Sequence, residues 1–430
     1  MLRHKYSQNV NIKPLYGNFR EQSFWLKTLP EINNIKPLTD SLKCDIAIIG
    51  GGFTGLSAAY HLRLLLPGVD VRVIEANICG FGASGRNGGF SGTLFGMDKD
   101  ITALRFGKIN TIAAHHYMED AVDYLEKIIV KHNINCDYEK KGSLFVATTA
   151  TQIKRLDHKL YLADRWGLEG IESWDEKRLH DEFQSNVYRR GMFDRRTGLL
   201  NPALFTRGLA KIARKAGATI YEMSPVTSIK KNSKGFCICT PEGELQAEKI
   251  IFASNAYSIL FPGLSSKQIP VFQNIIVSEP LSIEQIKSIG WQSRCGIEDA
   301  RNQLHYYRLT SDNRLLIGGG SIEPVFKQKI DHDSNKKVFT HLKKHVLKIF
   351  PQLTGLKFTH QWGGPVSITI DMAPYNGLCL AELLAGKKSK RTEMFFVGRR
   401  MVSWPPQLFR YPLISFILGM LKVQDRFYWD

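Results

Sequence analysis

Short apolar runs alternate with a helical segment between residues 44 and 75. Residues 44–49 are apolar and rich in β-branched side chains, which predicts a strand buried on both faces of a parallel sheet. Residues 56–66 have the composition of a helix that ends before Pro67 and Gly68. Residues 69–75 repeat the β-branched pattern, so the chain is predicted to form a strand, a helix and a second parallel strand.

The turn between the first strand and the helix has glycines at the spacing Gly-x-Gly-x-x-Gly. Gly50 permits a tight turn, Gly52 permits close approach of the backbone to a pyrophosphate, and Gly55 permits close packing of helix on strand. The first N–H groups of the helix then point at the phosphates. Glu75 ends the second strand, where it can accept hydrogen bonds from ribose hydroxyls, so we predict a dinucleotide without a 2′-phosphate.

A second glycine-rich segment covers residues 79–90 and contains Gly82-Ala-Ser-Gly-Arg-Asn-Gly-Gly89. Its small residues and single cation suit close backbone contact with a large planar or anionic ligand. Its composition is also compatible with a mobile surface loop.

These motifs, with Phe24-Trp25 before them, resemble the family of flavoproteins that includes D-amino-acid oxidase, glycine oxidase and sarcosine oxidase. Residues 82–89 and 361–374 are most similar to the gamma-glutamylputrescine oxidoreductase branch of that family. The resemblance implies an α/β fold in which a Rossmann-like FAD-binding domain is interleaved with a mainly antiparallel, α+β substrate domain, as in glycine oxidase. FAD is the implied cofactor.

The resemblance also implies a division of the chain and a set of cofactor contacts. Residues 1–43 would form a leader packed on the core, and residues 404–430 a C-terminal helix. The FAD-binding domain would comprise residues 44–95, 196–260 and 355–403, and the substrate domain residues 96–195 and 261–354. The implied FAD contacts are Gly50, Gly52, Phe53, Thr54, Gly55, Glu75, Ser84, Arg86, Asn87, Gly88, Val226, Asn255, Trp362 and Gly363.

In the family that the chain resembles, the flavin takes a hydride from the α-carbon of a neutral amine. This implies oxidation of a C–N bond in a gamma-glutamylputrescine-like or glycine/sarcosine-like substrate, with oxygen or a quinone as electron acceptor. Strand alternation over residues 305–308 places Tyr306 and Arg308 on one face. We expect this pair to approach the substrate, with Arg308 holding a carboxylate, although ordinary sheet packing explains the pattern equally well. His360 and Trp362 are interpreted either as neighbours of the flavin ring or as core residues.

The chain departs from the family pattern after residue 374. Relatives have a further strand and a Gly-His-Gly turn before a helix that faces the flavin, whereas here residues 375–377 run directly into residues 378–386, which resemble the start of that helix. We favour a shortened chain, because Met401 and Pro405 also align in this way. The alternative is that residues 393–398 supply the missing strand. A degenerate flavoprotein-like protein with impaired FAD binding and no catalysis is therefore the alternative to an active enzyme.

The charge of this 430-residue chain indicates which classes of partner it can bind, and its cysteines indicate the redox state of its compartment. Its formal net charge of +18 favours anionic partners, but the cations are scattered and accompany no nucleic-acid-binding module, so no nucleic-acid partner is expected. Seven cysteines without a Cys-x-x-Cys pair predict a reduced compartment and no metal site.

The N-terminal residues lack the apolar segment of a secretory signal, which predicts a cytoplasmic location. The apolar residues 411–421 are too few to span a bilayer and favour a packed terminal helix, with peripheral membrane contact as the alternative.

Overall fold

Two β-sheets, one parallel at its centre and one mainly antiparallel, position the candidate site. A computed structural model of the chain describes residues 19–21, 23–33, 35–96, 98–326, 329–330, 335–367, 373–401 and 403–427. Residues 1–18 of the predicted leader and residues 368–372 therefore lie outside the described residues. The strands are β1 (Ser41–Ile49), β2 (Val71–Ile74), β3 (Phe90–Ser91), β4 (Ser143–Ala147), β5 (Ile171–Trp174), β6 (Arg190–Asp194), β7 (Gly198–Leu199), β8 (Thr219–Tyr221), β9 (Ser228–Asn232), β10 (Gly235–Cys239), β11 (Glu244–Phe252), β12 (Val271–Pro280), β13 (Gly296–Asp299), β14 (His305–Leu309), β15 (Arg314–Gly319), β16 (Glu323–Pro324) and β17 (Phe358–Val366).

Helices cover the faces of both sheets. The α-helices are α1 (Phe24–Lys27), α2 (Phe53–Leu65), α3 (Lys99–Phe106), α4 (Lys108–His132), α5 (Ala150–Arg165), α6 (Glu176–Glu182), α7 (Pro202–Lys215), α8 (Ile283–Ile289), α9 (Lys336–Ile349), α10 (Ala373–Leu384) and α11 (Gln407–Phe427). Short 3-10 helices span Phe19–Glu21, Ala83–Gly85, Asn255–Leu260 and Pro351–Leu353. Among the described residues, none of the helices combines the length and the apolar content that crossing a membrane requires.

The first sheet has the strand order β8-β2-β1-β11-β10-β9. Strands β8, β2, β1 and β11 are parallel, whereas β9, β10 and β11 form an antiparallel meander. The predicted strand-helix-strand unit is confirmed as β1, α2 and β2, with α2 starting at Phe53, three residues before the predicted start. Ile48, Leu56 and Val73 are completely buried between the sheet and its helices, since apolar residues on both faces require cover on both sides.

The second sheet has the strand order β16-β12-β15-β14-β13-β4-β6-β5, and β17 pairs with β12 on its other side. Most neighbours are antiparallel, and β13 with β4 is a parallel pair. The division predicted from the sequence placed β17 in the FAD-binding domain, but β17 pairs antiparallel with β12 from Val271 opposite Val366 to Ser278 opposite Phe358. This long-range pairing places β17 in the second sheet.

Residues 375–377, which were predicted to precede a helix at residues 378–386, lie inside a helix in the structure. Helix α10 begins at Ala373 and packs on α2, where the Thr54 hydroxyl donates to the Ala373 carbonyl at 3.0 Å and the Ser57 hydroxyl donates to the Pro374 carbonyl at 2.6 Å. Residues 390–398 form turns instead of the alternative strand. In the described part of the chain, residues 249–252 of β11 therefore pair with β1 on one side only.

Candidate functional site

Two adjoining cavities lead from the carboxyl ends of β1 and β2 to the second sheet. The first, the outer cleft, has a volume of about 390 Å³, and the second, the inner cavity, has a volume of about 470 Å³. Predicted cofactor residues that line the outer cleft are Gly50, Gly52, Phe53, Thr54, Glu75, Ser84, Asn87, Val226 and Asn255. The inner cavity is lined by Arg86, Asn87, Gly88, Glu298, Tyr306 and Gly363, together with apolar side chains. Phe53, Asn87 and Ala373 line both spaces, so one extended ligand can occupy them.

The glycines at the start of α2 hold the backbone close to its neighbours. Gly50 has φ +113°, and a Cβ atom there would lie 2.6 Å from the Ala253 carbonyl oxygen. A Cβ at Gly52 would lie 2.8 Å from the Ser84 Oγ, and that hydroxyl accepts a hydrogen bond from the Phe53 N–H at 3.0 Å. The turn and the helix N-terminus thus form a narrow, electropositive cradle that suits a phosphate.

Glu75 places a carboxylate beside this cradle. Its Oε2 accepts a hydrogen bond from the Gly51 N–H at 2.6 Å, and its Oε1 accepts one from the Asn77 N–H at 3.0 Å. Burial raises the pKa of Glu75 to about 7, although both N–H groups favour the ionised form. A hydroxyl that donates to this carboxylate would add a further hydrogen bond to the ionised form, as ribose recognition requires.

The second glycine-rich segment forms the wall between the outer cleft and the inner cavity. The Arg86 guanidinium donates to the Gly363 carbonyl at 3.3 Å and to the Tyr257 hydroxyl at 2.9 Å. The Asn87 amide donates to the Ala83 carbonyl at 3.0 Å and accepts from the Gly89 N–H at 2.8 Å. These bonds fix the segment, which rules out the interpretation as a mobile surface loop.

Tyr306 and Glu298 face the inner cavity from neighbouring strands. They lie directly opposite each other in the β13–β14 register, so their side chains share one face. Burial raises the pKa of Glu298 to about 7. Among the described residues the Glu298 side chain makes no hydrogen bond, and the Tyr306 ring meets the Phe90 ring edge-on at 5.9 Å. The sequence alone does not reveal Glu298 as a cavity residue, because only the strand register shows that it stands opposite Tyr306.

The structure places Arg308 away from the cavity, in contrast to the expected contact with substrate. Its guanidinium donates to the Gly89 carbonyl at 3.0 Å and to the Leu200 carbonyl at 2.9 Å, and it lies 5.7 Å from the centre of the Trp25 ring. Burial lowers the pKa of Arg308 to about 10. Alternation does put Arg308 on the face of Tyr306, but the glycine-rich segment and Trp25 cover that part of the face. Arg308 therefore supports the segment from behind.

Other predicted residues also act from behind the cavity walls. The Trp362 indole is buried and donates to the Arg86 carbonyl at 2.9 Å, so it orients Arg86 without lining either cavity. His360 packs edge-on against Phe24 with ring centres 5.3 Å apart, away from both cavities. Gly55 packs under the turn, where a Cβ atom would lie 2.1 Å from the Gly50 carbonyl oxygen. The Trp362 indole is therefore a core residue, whereas the His360 imidazole is half-buried and contacts neither cavity.

Two buried polar atoms of residues that line the inner cavity are available to hydrogen-bond a ligand. Within the described chain, Arg86 Nε and Gln273 Oε1 are buried without a hydrogen-bond partner, and both residues line the cavity. Ala373 and Pro374 of α10 also line the cavity. A flavin ring has both donors and acceptors at its edge, so these residues fit its polar side. Together with the phosphate cradle and Glu75, they fit FAD.

The fold and the site define a dinucleotide-dependent oxidoreductase, since a Rossmann-like nucleotide site opens directly into a buried cavity beside an antiparallel sheet. Residues 45–390 match the DAO family of FAD-dependent oxidoreductases, and the chain belongs to that family. This confirms FAD as the cofactor.

Individual relatives agree with this membership. The chain is 34% identical over 342 residues to gamma-glutamylputrescine oxidoreductase from Escherichia coli (strain K12), which covers 79% of this chain and 78% of the relative. It is 32% identical over 388 residues to probable oxidoreductase OrdL from Haemophilus influenzae, covering 88% and 83% of the two chains. The crystal structure of glycine oxidase from Geobacillus kaustophilus superposes with a TM-score of 0.70 at 19% identity, covering 84% of this chain and 100% of that chain. The predicted glycine oxidase-like fold is thereby confirmed.

Proposed function

We propose that this FAD-dependent oxidoreductase oxidises the C–N bond of an amine or amino acid, and that an alkylamine resembling gamma-glutamylputrescine is favoured over glycine or sarcosine. The observation that supports this substrate most directly is the Glu298 carboxyl group in an otherwise largely apolar cavity. The similarity to gamma-glutamylputrescine oxidoreductase supports the same substrate class.

An amine enters such a site as a cation but must lose a proton before its α-carbon can release a hydride. The Glu298 carboxylate would attract the ammonium group and accept that proton, because a pKa of about 7 matches the base to neutral pH. The cavity walls include Phe90, Leu94 and Met118, which suit the methylene groups of an alkyl chain.

A small amino acid would need a cation for its own carboxylate. Among the described residues that line the inner cavity, Arg86 is the cationic one, and it already donates to the Gly363 carbonyl and the Tyr257 hydroxyl. Arg308 donates to backbone carbonyls outside the cavity. This charge distribution favours an amine without a nearby carboxylate.

Bound FAD would supply the hydride acceptor, and the reduced flavin would pass electrons to oxygen or a quinone. Gly50, Gly52 and the first turn of α2 would hold the pyrophosphate, and Glu75 would bind the ribose. Arg86 and the first turn of α10 would lie at the flavin end. Tyr306 would close the cavity against water from the second sheet.

Anaerobic mixing of the FAD-saturated protein with glycine, sarcosine, putrescine and gamma-glutamylputrescine tests the proposal. We expect the two amines to remove the absorbance of the oxidised flavin, and Glu298→Gln to slow this by about 10²–10⁴-fold. Glu242→Gln, at an exposed position, is the control and should react like the wild type. Addition of oxygen or a quinone to the reduced enzyme then identifies the acceptor.

Two results would contradict the proposal in different ways. Flavin that stays oxidised with every compound would refute the substrate class. A colourless protein that FAD fails to stabilise against heat would instead favour the degenerate alternative. The buried Arg86 and Gln273 atoms at the cavity argue for a working FAD site.

A further inference from the structure

A third cavity lies on the opposite face of the second sheet. His305 and Tyr306 are consecutive on β14, so their side chains point to opposite faces: Tyr306 lines the inner cavity, and His305 lines this one. The volume is about 650 Å³, within the range of about 300–1,000 Å³ that small-ligand sites occupy. Helices α9 and α11 and the residues after β13 enclose it, and we call it the basic groove.

Helix α9 turns a continuous stripe of basic and imidazole side chains toward this groove. Spacings of three and four residues place them on one face, while the apolar residues of α9 pack into the core. The side chains of the stripe are Lys337, His341, Lys344, His345 and Lys348. Arg301 and Lys422 add two more cations from the other walls.

The carboxylates of the groove are already occupied by other partners. Asp425 accepts hydrogen bonds from the backbone N–H groups of Asn302 and Gln303, both at 2.9 Å. Glu323 accepts from the Asn335 amide at 2.6 Å. Arg301 pairs with Asp299, so four lysines face the two engaged carboxylates, which leaves a positive potential in the groove.

Three lysines of the groove, Lys337, Lys344 and Lys422, form no salt bridge within the described chain, and a buried cluster of imidazoles and one carboxylate lies beneath them. On the floor, Asp299 accepts a hydrogen bond from His305 Nδ1 at 2.8 Å, and His305 Nε2 lies 3.1 Å from His341 Nε2. Burial, together with neighbouring charges that include Arg301 and Lys422, lowers the pKa of His341 to about 4.

We propose that the basic groove is a second ligand site, which binds a phosphate-bearing anion independently of FAD and of the amine. The lysine ammonium groups supply both the positive charge and the N–H donors to phosphate oxygens. Two sources offer this chemistry, a soluble phosphate compound and a lipid headgroup. The second is relevant because α11, which lines the groove through Lys422 and Asp425, also exposes Phe409, Phe416 and Met420.

A metal ion is the competing ligand at the floor. Asp299, His305 and His345 bring potential ligand atoms within 4.8 Å of one another. However, Arg301 Nε lies 3.3 Å from Asp299 Oδ2, and the His305 and His345 rings stack 3.8 Å apart at 11°. The lone pairs of stacked rings lie in two nearly parallel planes, so they converge poorly on a common tetrahedral centre. Both facts favour an anion.

The test uses FAD-saturated protein, so that the outer cleft is filled before the anion is added. Inorganic pyrophosphate is titrated calorimetrically, and vesicles of phosphatidylcholine with or without phosphatidylglycerol are tested by co-sedimentation. The groove variant Lys344→Gln/Lys348→Gln is compared with Lys336→Gln/Lys343→Gln on the same helix. The control removes the same charge outside the groove, with Lys343 Nζ lying 5.8 Å from the centre of the Phe358 ring.

We expect the groove variant to bind at least about tenfold more weakly, a loss of about 1.4 kcal/mol or more, and the control to change affinity by less than about threefold. If the groove variant loses pyrophosphate binding, the ligand is a soluble phosphate compound. If it loses only the binding to anionic vesicles, the ligand is a lipid headgroup. Either result supports the site. Absence of binding to both probes, or equal losses in the two variants, would overturn it. Stoichiometric zinc binding without anion binding would overturn it in favour of a metal centre.

Discussion

The replacement Glu298→Gln removes a titratable group from the inner cavity while preserving the size of the side chain. In the wild type, burial raises the pKa of Glu298 from 4.5 to about 7. At about 1.4 kcal/mol for each tenfold change in proton affinity, this corresponds to about 3 kcal/mol of folding free energy. The cause is desolvation, which disfavours the charged carboxylate.

The sign of the pH dependence follows from which state holds the proton. Between about pH 4.5 and pH 7, the folded protein keeps the proton on Glu298, whereas the unfolded chain releases it. The stabilising contribution of Glu298 is therefore fully present below about pH 4.5 and is lost as the pH rises to about 7. Glutamine stays neutral, so the variant avoids this loss. Glu75 titrates over the same range in both proteins and cancels from their difference.

Calorimetric melting of the FAD-free wild type and variant at about pH 4.5 and about pH 8 measures this effect. An unfolding entropy of about 2.1 cal/mol/K per residue converts about 3 kcal/mol into about 3 °C for a chain of this length. We expect the difference in melting temperature, Glu298→Gln minus wild type, to be about 3 °C larger at about pH 8 than at about pH 4.5. Glu242→Gln, at an exposed position, should show no such change. A difference independent of pH would refute the assignment of Glu298 as a desolvated acid.

Three further replacements test the cofactor end and its support. Glu75→Gln should raise the Kd for FAD at least about tenfold in a flavin fluorescence titration, because hydrogen bonds to a charged acceptor contribute about 1.5–3 kcal/mol; an unchanged Kd would contradict the ribose assignment. Gly55→Ala should lower the melting temperature and the FAD content, because its Cβ would lie 2.1 Å from the Gly50 carbonyl oxygen; Gly68→Ala, with open space around it, should change neither. Arg308→Gln should lower the melting temperature but leave the relative rates with different amines unaltered, and a changed preference would restore a substrate-binding role.

The outer cleft could be predicted from the sequence because its determinants are local. Gly50, Gly52 and Gly55 are required by one turn, and Glu75 ends the next strand of the same βαβ unit. Family resemblance added FAD and the glycine oxidase-like fold, which the comparisons confirm.

The inner cavity and the basic groove depend on contacts between residues far apart in the chain. Strand alternation correctly placed Tyr306 and Arg308 on one face, but it gave no information on what covers that face. Glu298 stands opposite Tyr306 only through the β13–β14 register, and the stripe on α9 becomes a groove only where α11 packs beside it. The sequence by itself thus determined the nucleotide end of the site, because a turn and its helix are local structures. Tertiary structure alone decided which side chains line the inner cavity, because strand pairing and helix packing bring distant residues together.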